Sequence, residues 1–345
     1  MTERAPHRLS IHGLQGVFKR VARRCDLAEK GHPHTMRHYG NSLDRVIAAS
    51  ESKDSVLVVG LDPNVDYLPN VLAPTQESGR AVAEAISQFN RLVIDAVADH
   101  AVAVKPPLAY YEVYGSDGIC ALEDTIRYAR SKGLLVVQDA KRGDIGPTAS
   151  AYAQAYLHPS SPLCGDALTV NPLLGADGLS PFVEAATQHG HGIFVLVKTC
   201  NPSAGQWQDL IAADGGTLSQ RIAGYVADIA RNHRGEHGYS AIGAVVGSTY
   251  PQDALALRSI MPHSILLVPG LGAQGGRADD LTGYFDAQGQ GALVSSSRGI
   301  TYRYCAVTPE WKHATIDQVF ASIREAAVMS QRALNNARHQ SQRIR

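Results

Sequence analysis

From Tyr39 onward, short apolar runs rich in β-branched residues alternate with longer segments of helical period. The runs predict strands at 56–61, 102–105, 134–138, 167–170, 193–197, 242–246, 265–268 and 292–295. Runs this short and this continuously apolar suit parallel strands covered on both faces. Amphipathic stretches at 78–99, 119–132, 148–156, 179–189, 218–233, 251–261, 277–285 and 316–335 predict the helices between and after them. Strand–helix alternation implies a parallel sheet. Eight near-regular units predict an α/β fold closed as a single-domain (β/α)8 TIM barrel, with a doubly wound open sheet as the alternative. No linker divides the chain, and 158–166 and 201–216 read as surface insertions.

Composition changes this picture only at the ends. The chain has 345 residues, 44% hydrophobic and 19% charged, with 32 basic residues against 32 acidic ones. That balance is ordinary for a soluble globular protein and carries no chain-wide nucleic-acid footprint. No apolar run approaches the roughly 18 residues needed to span a bilayer, so no membrane segment is expected. Cys25, Cys120, Cys164, Cys200 and Cys305 are odd in number and widely spaced, without a C-x-x-C pair. A disulfide framework or zinc site is therefore not expected, and a reducing cytoplasm fits. His189 and His191 flank Gly190 ahead of a predicted strand, where a turn suits them better than a metal. Residues 1–37 carry eight basic side chains against Glu3, Asp26 and Glu29. They are expected to form a basic, flexible, non-catalytic extension, although an organelle transit peptide has similar composition. Residues 38–337 would form the barrel, and 338–345 a polar, basic tail that frays.

Polar residues then concentrate at one end of the predicted strands. Asp62 ends the first, Lys105 the second, and Asp139-Ala-Lys141-Arg-Gly-Asp144-Ile145 closes and follows the third. Strand side chains alternate, so Asp139 and Lys141 should point the same way. Charges at the end of a buried strand need partners, so the cluster is either a structural ion pair or an acid/base array. Barrel enzymes build their sites at this C-terminal face, and the one-sided placement favours the second reading. The alternating lysines and aspartates are nearly neutral together and leave little negative charge for a divalent metal; none is expected, nor a cofactor. Pro269-Gly270-Leu271-Gly272-Ala273-Gln274-Gly275-Gly276 contains G-x-G-x-x-G, but after a late strand this reads better as a phosphate nest than as a dinucleotide fingerprint. Arg298, after the last strand, would supply a bidentate partner.

The Asp-x-Lys-x-x-Asp-Ile motif, Lys105 one strand earlier and the late glycine loop together resemble orotidine 5′-phosphate decarboxylase, in its larger, bacterial-type branch. The resemblance runs from about Tyr39 to Ala333. It implies a (β/α)8 barrel that forms a homodimer with shared active sites, converting orotidine 5′-monophosphate (OMP) to UMP and CO2 in the cytoplasm. Lys105, Asp139, Lys141 and Asp144 would be the charged tetrad, with Asp144 reaching the neighbouring subunit's site. Asp62 would bind the ribose, and Thr148 the partner's ribose. Gly272, Gln274 and Arg298 would hold the phosphate. Cys200 stands where the family usually has a serine against the pyrimidine; a thiol is the weaker donor. Two alternatives stay open here: a non-catalytic nucleotide-binding barrel, and a metal-dependent decarboxylase or aldolase of 3-keto sugar phosphates.

Overall fold

The computed structural model describes residues 41–76, 78–272 and 275–344; the expected basic extension, 1–37, lies outside them. Eight parallel strands close on themselves in chain order. They are β1 (Leu57–Gly60), β2 (Ala103–Lys105), β3 (Leu135–Arg142), β4 (Ala167–Val170), β5 (Gly192–Lys198), β6 (Ile242–Val246), β7 (Leu266–Val268) and β8 (Ala292–Ser296). Pairing of β1 with β8, Leu57 opposite Val294, completes the barrel.

Alternation along each strand builds two apolar layers. Val58, Ala103, Val137, Ala167, Phe194, Val245, Leu267 and Leu293 form the interior. Leu57, Val59, Val104, Val136, Leu168 and Val195 face outward against the helices. The interior continues into Leu43, Val46 and Ile47 of α1 (Ser42–Lys53), a helix that the strand–helix pattern does not predict. Asn41 caps it with an oxygen that accepts from the Leu43 and Asp44 amides. Arg45 of this helix donates to Asp166, immediately before β4, at 2.7 Å. The N-terminal mouth is thereby plugged, and among the described residues a cavity opens at the opposite mouth. Asp166 is buried and accepts from the Val136 amide at 2.9 Å, so the end of 158–166 is a structural joint and not a surface insertion.

Two other expectations change at the C-terminal half. Residues 277–285 form a 3-10 helix, Ala278–Tyr284, instead of an α-helix. The last helix, Ile316–Ile344, runs past the expected end at 335, and the segment expected to fray is helical. Its polar side chains are spent on loop carbonyls: Arg338 Nε donates to Gly289 O at 3.0 Å and Gln342 Nε2 to Gln288 O at 2.7 Å. Leu334 and Ala337 add an apolar contact stripe.

His191, immediately before β5, is buried, its Nε2 3.4 Å from Cys164 Sγ. Gly190 before it is left-handed and caps the preceding helix, the turn role the sequence suggested. Burial pushes the His191 imidazole down to about 4; Asp166 opposes this, while Arg45, Arg130 and His189 add to it. The folded state then binds fewer protons than the unfolded chain between pH 6.5 and about 4, so this group's contribution to stability is lost as pH falls through that window. The full loss is on the order of 3 kcal/mol. Urea midpoints at neutral pH and near the foot of the window should diverge more for the wild type than for His191→Gln. Equal divergence would remove His191 from the account.

Candidate active site

The open mouth holds a cavity of about 580 Å³. Asp62, Lys105, Asp139, Lys141, Cys200 and Arg298, six of the residues singled out in the sequence, line it. Asp139 is the centre. Its Oδ2 accepts from Lys105 Nζ at 2.5 Å, and its Oδ1 from Lys141 Nζ. The Lys105 side chain is 7% exposed and the Asp139 side chain 11%, whereas Lys141 is 54% exposed. Both lysines line the cavity, but Lys141 is much the more exposed of the two.

Electrostatics follow from that geometry. Burial favours the neutral form of Asp139, but the ammoniums of Lys105 and Lys141 outweigh it and hold the carboxyl well below the usual carboxylate range. Burial likewise opposes charge on Lys105, and Asp139 and Asp62 together raise it above an ordinary lysine. The pair is ionised because each member answers the other. Asp62 differs. Burial raises its carboxyl, with Lys105 and the nearby Ser297 hydroxyl pulling back. Its Oδ1 is buried and has no hydrogen-bond partner among the described residues. A buried acceptor without a donor calls for one from a bound molecule, as a sugar hydroxyl would supply.

The local backbone is not the regular strand that alternation assumes. Pairing of β3 with β4 shifts between Gln138 and Arg142. Within that bulge Lys141 has φ +49°, the left-handed region. For a side-chain-bearing residue this costs about 1–2 kcal/mol. Thr169 holds it there: the Lys141 amide donates to Thr169 Oγ1 at 2.9 Å, and that hydroxyl lies 3.3 Å from Asp139 Oδ1. Asp139 and Lys141 converge as expected, but through this pinned kink. Thr169 is hard to single out in sequence because it sits in an otherwise apolar strand; its place at the C-terminal end of β4 is the signal that marks it. Tyr302 and Tyr111 also escape a sequence reading. Tyr302 Oη donates to Asp62 O at 2.8 Å, and Tyr111 Oη to Leu61 O at 3.1 Å, suspending the Asp62 backbone from two aromatic side chains.

Asp144, Thr148 and Gly272 do not line this cavity. Asp144 accepts from the amide of Ile145 at 2.8 Å, and Thr148 is exposed on helix Gly146–Leu157; neither lines the cavity of its own chain. Gly270 and Leu271 line it, while Gly272 lies just behind, its amide donating to Gly276 O at 2.9 Å. Gly270, Gly272 and Gly275 all have positive φ, so the turn requires glycine. Gln274 lies outside the described residues. Because a 3-10 segment follows the loop, no α-helix N-terminus backs the nest. Arg298 opens the short helix Arg298–Thr301 at the other side of the same opening.

The comparisons with known proteins agree with this geometry. Residues 55–306 match the model of the orotidine 5′-phosphate decarboxylase / HUMPS family. The orotidine 5′-phosphate decarboxylase of Rhodopirellula baltica is 48% identical over 256 residues, 72% of this chain and 84% of that one. That of Deinococcus radiodurans is 46% identical over 252 residues, 73% and 85% of the two chains. The solved OMP decarboxylase of Leishmania donovani superposes with a TM-score of 0.65 at 29% identity, covering 87% of this chain and 99% of that chain. The chain belongs to the orotidine 5′-phosphate decarboxylase / HUMPS family.

Proposed function

We propose that Lys105, Asp139, Lys141 and Asp144 carry out in this chain the reaction named for its relatives. The chain decarboxylates OMP to UMP and CO2 and serves UMP biosynthesis. One observation carries the assignment of roles: a buried, ionised Asp139 clamped between two ammoniums that both line the cavity, of which Lys141 is the exposed one. The bond from C6 of the pyrimidine to the carboxylate breaks, and its electron pair stays on C6. Lys141 stabilises that carbanion and then gives it a proton, recovering one from water. Asp139 faces the departing carboxylate. Two unit charges 4 Å apart interact by about 4 kcal/mol at an effective dielectric of 20. Very slow reactions need roughly 23 kcal/mol of barrier lowering. Repulsion by Asp139 is therefore a minor contribution. The preorganised ammonium, and phosphate binding through Arg298 and the glycine loop, must supply most of it.

Asp62 takes the ribose hydroxyls with its unpartnered oxygen. Cys200 faces the base with a thiol that burial pushes up and keeps protonated. A 3-keto sugar phosphate enzyme would use an acidic metal ligand at the end of the strand before Asp139; here β2 ends in Lys105, paired with Asp139, and this favours the decarboxylase over that rival. The test is the ultraviolet change of OMP with purified protein, with and without EDTA. Conversion insensitive to chelator is expected. No conversion by folded protein that binds UMP would replace the enzyme with a binding barrel.

The active unit in this reading is a cytoplasmic homodimer with shared sites, Asp144 and Thr148 serving the partner. Supporting it, Ile145, Leu173, Leu174 and Trp207 are 53%, 82%, 49% and 70% exposed on loops after β3, β4 and β5, around the open mouth. Exposed apolar side chains gathered on one face mark a contact surface. No described helix is long and apolar enough to cross a membrane. Mixing Lys141→Ala with Asp144→Ala should then restore activity, because a hybrid dimer holds one intact site. Confirmed hybrids without recovery would count against sharing.

A further inference from the structure

Lys198 closes β5, and its side chain has no solvent exposure. Its ammonium meets the Asp209 carboxylate, Asp253 Oδ2 at 3.5 Å and the Tyr250 ring, whose centroid is 4.4 Å away. None of these four lines the cavity. Regular alternation would aim Lys198 where Leu196 points, into the barrel mouth. Pairing of β5 with β6 shifts between Leu196 and Lys198, however, and of the two only Leu196 lines the cavity.

The two carboxylates come from different loops. Asp209 follows the short helix Gly205–Gln208, after β5, and Asp253 lies in helix Pro251–Ile260, after β6. Between Lys198 and Asp209 the chain runs through Thr199, Cys200 and Asn201, which do line the cavity. That segment is tied at both sides. The Thr199 amide donates to Gln208 Oε1 at 2.9 Å, and Gln208 Nε2 donates back to Thr199 Oγ1 at 2.8 Å. From the β6 side, Thr249 Oγ1 donates to Cys200 O at 3.1 Å and Tyr250 Oη to Asn201 O at 3.0 Å. At Gly247 a Cβ would fall 2.8 Å from the Cys200 backbone, so the two loops touch main chain to main chain.

We propose that Lys198 is a positioning residue for base recognition: by joining Asp209 and Asp253 it fixes Thr199-Cys200-Asn201 against the pyrimidine. The proposal rests on the decarboxylase reading, which sets Cys200 beside the base. The ammonium is the common counter-charge of both loops. Without it the carboxylates of Asp209 and Asp253 repel across the gap, and the segment between them loses its anchor. The ribose and phosphate contacts at Asp62, Gly270 and Arg298 belong to other strands and are untouched.

The test compares ligands with and without a base. Equilibrium binding of UMP and of ribose 5-phosphate, with kcat and KM for OMP, is measured for wild type, Lys198→Met and Lys198→Arg. Lys198→Met should weaken UMP and raise KM about tenfold or more while ribose 5-phosphate binds as before, with Lys198→Arg restoring most of the loss. Equal loss for both ligands, or unchanged UMP binding, would overturn the assignment. Should Lys198→Met fail to fold, Asp209→Asn carries the same test, since that carboxylate is 48% exposed and tolerates replacement. A wild type that neither binds UMP nor converts OMP overturns the decarboxylase reading and this assignment with it. An active wild type with unaffected variants overturns this assignment alone.

Discussion

Lys141→Ala should reduce OMP turnover by at least about 10⁴-fold while UMP binding stays within a few-fold of wild type. General acid catalysis contributes ~10²–10⁴-fold and a preorganised electrostatic partner ~10²–10³-fold; Lys141 is assigned both tasks. Product lacks the developing negative charge at C6, so its binding does not draw on that interaction. The variant should also fold. Asp139 keeps its Lys105 partner, and the Lys141 side chain is half exposed. Single-turnover rates and UMP titration check both halves, and normal turnover by the variant would sink the assignment.

Asp139→Ala is expected to damage stability as well as rate. Its loss strands the Lys105 ammonium, 7% exposed, with only the charge of Asp62 nearby. Removing one member of a buried ion pair costs about 3–5 kcal/mol. The same change frees Lys141 from the contact that orients it. Adding Lys105→Met to Asp139→Ala should recover much of the stability by removing the unpaired charge, and none of the activity. Urea unfolding of the two single variants and the double variant reads this as a coupling energy. An Asp139→Ala protein as stable as wild type would mean that the pair is not buried in solution.

Much of this architecture was legible because parallel barrel strands are apolar on both faces. Each strand core, such as Ile242–Val246, therefore stands out as an uninterrupted run. The charged residues ending those strands could be ordered along the barrel mouth before any coordinates. What stayed hidden depends on partners distant in sequence. The plugging helix Ser42–Lys53 has mixed composition and shows its purpose only against Phe194 and Leu293. The far end of the last helix looks like a fraying tail until Arg338 meets Gly289. The kink at Lys141 is set by its pairing with β4, so alternation reached the right convergence for an incomplete reason. Asp144 and Thr148 leave no mark on the cavity of their own chain, because their expected target lies on another copy.

The left-handed backbone at Lys141 sets two demands on one position against each other. Glycine would relax the main chain there but has no amine to offer. Every residue that keeps an amine keeps the strain. Screens that rank variants of this protein by heat tolerance alone should therefore drift toward glycine at this position and select away the ammonium proposed here as the proton donor.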